Sequence, residues 1–199
     1  ITLTSILFSL SQFMYSLTAD DSKSCLILLF SEYWSKFKYK NFDLLKKIIE
    51  SSDPKLVDFN IVTDQIGKNF LSDVNSGNVK LYQQVDDSFL KSLYQQSSLL
   101  LHTSSFEGFC LPAMEAIKSA RPVLYLKGSA IDQTVSSDGE GIASISNINL
   151  WCDKILELGH EAYYNRFISN VSSNIKRRES WLDNASSLKL IYEELGGKL

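Results

Sequence analysis

SLLLHTSSFEGFCLPAMEAIKSARPVLYLK, residues Ser98 to Lys127, is the stretch on which the fold turns. It opens with SLLLHTS (Ser98–Ser104), an apolar run of the length and continuity expected of a strand buried on both faces. The loop SFEGFC follows. LPAMEAIKSA (Leu111–Ala120) then spaces its apolar residues as a helix does, with Pro112 where a first helical residue is expected. RPVLYLK (Arg121–Lys127) is a second buried run. Strand, helix, strand in 30 residues predicts a βαβ unit and hence a parallel sheet.

The flanking sequence repeats the pattern. CLILLFS (Cys25–Ser31), DFNIVTD (Asp58–Asp64) and NVKLYQQ (Asn78–Gln84) read as further strands, and GEGIAS (Gly139–Ser144) contains a short sixth. NFDLLKKIIE (Asn41–Glu50) is an amphipathic helix with Asn41 as a candidate N-cap. DDSFLKSLYQQ (Asp86–Gln96) is another, its acidic first turn suited to the helix dipole rather than to a metal. From about Leu150 the chain reads as helical to its end. The expected fold class is α/β: a Rossmann-like parallel sheet with helices on both faces. Residues 1–23 are expected to be an N-terminal helical or linker segment, and 24–199 one lobe including the C-terminal helices. The chain starts with Ile rather than Met, as a piece of a longer protein would.

Composition narrows the function. The chain has 199 residues, 44% hydrophobic and 22% charged, with a formal net charge of −3. This balance can bury one core, and it disfavours a nucleic-acid partner, which calls for a basic excess. The three cysteines, Cys25, Cys110 and Cys152, are widely spaced without a CxxC or Cys/His cluster, so neither a disulfide framework nor a structural zinc site is expected. The first strand is not followed by GxGxxG, and GxxxxGK[ST] is absent, which disfavours a standard dinucleotide domain and a P-loop.

Two acids frame the decisive loop. In an open parallel sheet, ligands bind beyond the carboxyl ends of the strands, where Thr103 to Cys110 must lie. The free amides at the following helix start favour a phosphate, and Gly108 permits close approach. A carboxylate would repel that phosphate. Glu107, in the loop, and Glu115, expected in the first helical turn, are therefore better suited to hydroxyl groups. A ligand with a diphosphate in its middle and hydroxyls at both ends is a nucleotide-sugar.

FEGFCLPAMEAIKSARPVLYLK then resembles the donor-binding motif of retaining glycosyltransferases with the GT-B fold, in which two glutamates stand eight positions apart. Ser104, Glu107, Gly108, Phe109, Leu111, Pro112, Glu115, Ala116, Pro122 and Val123 match it, and the likeness extends over roughly Cys25 to Leu195. The resemblance implies one lobe of a GT-B fold, with Glu115 on the donor ribose and Glu107 near the reacting carbon of the sugar. It implies that backbone amides around Phe109, Cys110 and Leu111 hold the diphosphate, and that Lys40 supplies charge to it as it leaves. Ser31 and Glu32 stand where the family has Gly-Arg, so Lys36 or Lys38 would provide the second cation. Val85 falls where the family's backbone meets the base. Cys110 replaces the family's glycine, which is expected to crowd the diphosphate loop.

The implied activity moves a sugar from a nucleoside diphosphate sugar to a hydroxyl acceptor on a glycan, lipid-linked sugar or small molecule. No metal and no cofactor are implied. The acceptor lobe would be supplied in cis or in trans, and this chain alone would be nearly inactive. The implied location is cytoplasmic, with or without attachment to the inner face of a membrane. The alternative is a non-catalytic nucleotide-binding or subunit-contact module of the same fold, suggested by the missing arginine and by Cys110.

Overall fold

The computed structural model describes residues 23–29, 38–72, 74, 77–135, 138–160, 162–167, 170 and 181–194. Residues 1–22 of the expected N-terminal segment 1–23, and Ser31, Glu32 and Lys36, lie outside them; Lys23, the last of that segment, opens the first strand instead. In chain order come β1 (Lys23–Leu29), a 3-10 turn (Lys38–Lys40), α1 (Phe42–Ser51), β2 (Val57–Thr63), α2 (Gln65–Phe70), β3 (Val79–Tyr82), α3 (Asp87–Gln96) and β4 (Leu99–His102). Then follow α4 (Leu111–Lys118), β5 (Val123–Leu126), α5 (Ile131–Val135), β6 (Gly139–Ile142), α6 (Ile148–Leu158) and α7 (Trp181–Glu194).

All five strand pairings are parallel and the order is β3-β2-β1-β4-β5-β6. The described strands therefore begin in the middle of the sheet, run to one edge, and return to build the other. The crossover from β3 to β4 brackets a topological switch point, beside which this class of sheet binds its ligands.

The continuous apolar runs are explained by two cores. Leu99 and Leu101 of β4, with Leu124 and Leu126 of β5, pack under α1 and α6 around the fully buried Trp151. Leu100, Val123 and Tyr125 point the other way, under α3, α4 and α5. Period-2 geometry sends alternate residues to opposite faces, and both faces are covered, so every position is apolar. In α1, the buried Leu45, Ile48 and Ile49 form one stripe, each side chain contributing roughly 1.5–3 kcal/mol on burial.

Three boundaries differ from expectation. β1 (Lys23–Leu29) starts two residues ahead of the expected Cys25, pairing in register with β2 from Lys23↔Val57 to Leu29↔Thr63; the expected last residues, Phe30 and Ser31, lie outside the described residues. Two short helices, α2 and α5, join strands where none was expected. α2 is announced by Asp64, whose carboxylate caps the amide of Gly67 at 2.8 Å. Glu115 is the fifth residue of α4, one turn beyond the expected first turn, since the helix begins at Leu111 and Pro112 is its second residue. Among the described residues no helix is long and apolar enough to cross a membrane.

Candidate functional site

Because every strand is parallel, the carboxyl ends of β1, β2, β4 and β5 open on one edge of the sheet. The segment 103–110 leaves β4 there and meets the segment 39–41 that leads into α1. Backbone and side chains knit the two together. Ser105 donates its amide to the Tyr39 carbonyl at 2.7 Å, and Thr103 donates its hydroxyl to the Lys40 carbonyl at 3.0 Å. Asn41 is the N-cap residue of α1, but its left-handed backbone (φ 50°) turns the side chain away from the helix amides. It donates instead to the Thr103 carbonyl at 3.0 Å.

This lacing sets the central pair. Lys40 Nζ lies 2.7 Å from Glu107 Oε1, with both side chains largely withdrawn from solvent. His102 Nε2 lies 3.1 Å from the same oxygen. Burial pushes the Glu107 carboxyl up, but hydrogen bonds and charge from His102 and Lys40 outweigh it and hold the group at about 2. Glu107 is thus ionised at neutral pH and can accept hydrogen bonds from hydroxyls; it is not a proton donor. Lys40 also stands 5.3 Å from the centre of the Tyr39 ring, which makes a T-shaped contact with Phe106.

Glu115 is separately held. Tyr94 of α3 donates its hydroxyl to Glu115 Oε2 at 2.7 Å, with the Pro112 carbonyl at 3.3 Å. Burial first, and the Glu115 carboxylate second, hold the Tyr94 phenol above its ordinary range. The Glu115 side chain stays exposed, so its other oxygen is available to a ligand. Phe109 and Leu111, between the acids, are exposed as well.

Two expectations about the loop backbone are corrected. Gly108 does not occupy the left-handed region, and a Cβ placed there would meet nothing within 4 Å. The turn does not require glycine at 108, and the space beside it is open. The left-handed residue is Cys110 (φ 61°), the N-cap of α4, at a cost of roughly 1–2 kcal/mol for a residue with a Cβ. Its side chain does not crowd the loop as expected. It turns inward, is buried beside Ala113 and Ala116, and approaches His102 Nε2 at 3.6 Å. Burial pushes its thiol up to about 12. The strain explains why glycine suits this place, and the inward side chain removes one ground for regarding the loop as degenerate.

Lys38 is described in its backbone only, in the 3-10 turn before Lys40. Val85 is half-buried after β3, packed against the core under α3. In sequence His102 reads as the end of a strand near the site, with a mainly structural role, and Tyr94 as part of an ordinary helix; the structure shows each through the glutamate it holds.

The chain is similar to known proteins in sequence and in fold. The chain is 25% identical over 148 residues to an uncharacterized glycosyltransferase of Methanocaldococcus jannaschii, covering 71% of this chain and 42% of that protein. It spans less than half the length of the curated relatives it matches. Its fold superposes on a mutant of S. aureus TarM in complex with Fondaparinux, alpha-GlcNAc-glycerol and UDP, at TM-score 0.59 and 25% identity, over 78% of this chain and 32% of that one. It also superposes on the C-terminal domain of a glycosyl transferase group 1 family protein from Francisella tularensis, at TM-score 0.60 and 15% identity, over 84% of this chain and 91% of that domain. The glycosyl transferases group 1 family matches residues 36–173, which include Lys40, both glutamates and the loop between them, and the chain belongs to that family.

Proposed function

We propose that this chain is the donor-binding lobe of a retaining glycosyltransferase, which moves a sugar from a nucleoside diphosphate sugar to a hydroxyl acceptor. The observation that carries the reading is the 2.7 Å pairing of Lys40 with Glu107 at the loop preceding α4. It sets a cation for the diphosphate and an ionised acceptor for sugar hydroxyls side by side, at the strand edge where this fold binds ligands. The Tyr94-oriented Glu115 provides a second hydroxyl acceptor one helical turn away from the loop amides, and the ribose diol is its natural partner. The UDP in the TarM complex and the match to an isolated C-terminal domain support the same assignment.

In this reading, Lys40 and the amides at the start of α4 stabilise the charge that develops on the departing diphosphate. Lys40 exchanges its contact with Glu107 for one with phosphate as the donor enters. Glu107 is then available to the sugar, and it stays anionic because His102 remains on it. The transfer needs no metal. A second lobe, in cis or in trans, positions the acceptor. The test is calorimetric titration of the 199-residue chain with UDP and GDP. Binding in the micromolar to millimolar range is expected, and no binding by either nucleotide overturns the proposal.

A further inference from the structure

We propose that Phe106, backed by Tyr39, is the platform on which the acceptor lies, and that the acceptor offers it a pyranose ring. The inference rests on the donor-binding reading and names the acceptor class that this reading leaves open. Phe106 is 66% exposed, although it stands in a loop that is tied down. Ser105 donates its amide to the Tyr39 carbonyl at 2.7 Å and its hydroxyl to the same oxygen at 3.2 Å. The Phe106 and Tyr39 rings then meet with their centres 6.3 Å apart and their planes at 79°, a T-shaped geometry that aromatic pairs favour. Tyr39 itself is half-buried. The exposed ring is thus held from behind, and a ring so fixed loses little freedom when a ligand covers it. Phe109 and Leu111 of the same loop are exposed as well, and an exposed apolar cluster marks a contact with a ligand or partner.

Position selects the ligand. Phe106 precedes Glu107, the group assigned to the donor sugar. Tyr39 precedes Lys40, the group assigned to the departing diphosphate, and its ring centre is 5.3 Å from Lys40 Nζ. The ring pair therefore adjoins both groups. Retention brings the acceptor oxygen to the face of the anomeric carbon that the phosphate leaves. In net terms a carbon–oxygen bond to the acceptor forms there, the carbon–oxygen bond to phosphate breaks, and the acceptor's proton leaves with the diphosphate. The acceptor must lie where the sugar group and the phosphate group meet, which is the place of the ring pair.

A pyranose suits this surface. Its axial C–H bonds make one face apolar, which an aromatic ring covers, while the hydroxyls at its rim reach polar neighbours. An open-chain polyol has no such face.

Fluorine NMR of the 199-residue chain carrying fluorine-labelled phenylalanine tests the platform, with the Phe106 signal assigned by its loss in Phe106→Leu. The chain is titrated, with and without UDP, with the methyl glycosides of glucose, galactose, mannose and N-acetylglucosamine, and separately with glycerol. At least one glycoside is expected to shift the Phe106 signal with a millimolar Kd, and glycerol to leave it in place. Phe106→Ala should weaken that glycoside at least about fivefold, read by saturation transfer to the sugar. Phe89→Ala, at an exposed phenylalanine of α3, should not weaken it. Phe106 is exposed, so its truncation is expected to leave the chain folded, which circular dichroism checks. No shift with any glycoside, an equal shift with glycerol, or unchanged affinity in Phe106→Ala overturns the proposal and assigns Phe106 to a protein contact instead. UDP titration of the unaltered chain reads the donor role separately. UDP binding without a sugar response leaves that role standing and removes the platform. A sugar response that needs Phe106, in a chain that binds no nucleotide, removes the donor role and the acceptor assignment with it, leaving a carbohydrate-binding surface.

Discussion

Lys40 and Glu107 are 67 residues apart in sequence, yet Lys40 Nζ and Glu107 Oε1 approach to 2.7 Å. Nothing local brings them together. Parallel pairing of β1 with β4 sets their loops side by side, and the Thr103, Ser105 and Asn41 hydrogen bonds then fix the register of one loop on the other.

Removing the cation separates binding from folding. Lys40→Met is expected to weaken UDP or GDP binding about tenfold or more, the loss of one charge-assisted contact to phosphate. The fold should persist, since Lys40 lies at the sheet edge and His102 still holds Glu107. Calorimetry on the variant measures the first effect and thermal unfolding the second. Unchanged nucleotide affinity would remove Lys40 from the site.

Glu107 makes stability depend on pH in a definite window. Its carboxyl sits near 2 in the folded chain, below its ordinary 4.5. A group depressed by folding stabilises above its unfolded pKa and loses that contribution as pH falls through the folded one. The Tm of the unaltered chain should therefore drop more steeply than that of Glu107→Gln between about pH 4.5 and 2. Parallel melting curves of the two proteins over that range would count against the His102 and Lys40 contacts.

Tyr94 and Glu115 should act as a unit. Glu115→Ala is expected to weaken nucleotide binding by about 1–3 kcal/mol, the value of a hydrogen bond to a charged group. Tyr94→Phe keeps the buried ring and loses only the hydroxyl, so it should weaken binding less and cost no more than about 1–2 kcal/mol of stability. In the double variant, the phenylalanine should add little to the alanine. Additive losses in a double-mutant cycle would mean that Tyr94 does not orient Glu115.

Gly108→Ala tests the ligand side of the loop. The added methyl meets no protein atom within 4 Å and the backbone is not left-handed, so melting temperature should stay within error. Nucleotide affinity should fall severalfold if the diphosphate lies against this residue. A variant that binds UDP normally would place the phosphates elsewhere.

Much of the architecture was legible in sequence because burial on both faces leaves a plain trace. Leu99–Leu101 and Val123–Leu126 are uninterrupted apolar runs, and Leu45, Ile48 and Ile49 recur at helical spacing. The short helices α2 and α5 were not legible: five or six residues span too few turns to show a period. The motif around Glu107 and Glu115 marked the site, while the roles of Tyr94 and Asn41 did not show, since each depends on a partner 21 or 62 residues away; that of His102, five residues from Glu107, depends on how the intervening loop folds back.

The sequence by itself determined the alternation of strands and helices, the binding-edge loop and its two acids, since each rests on local periodicity and spacing. Only the tertiary structure decided which way Cys110 points and which cation meets Glu107. It also decided that Gly108 faces open space and that Tyr94 holds Glu115. Those are contacts between segments, and they exist only once the sheet has ordered its strands and brought the loops to one edge.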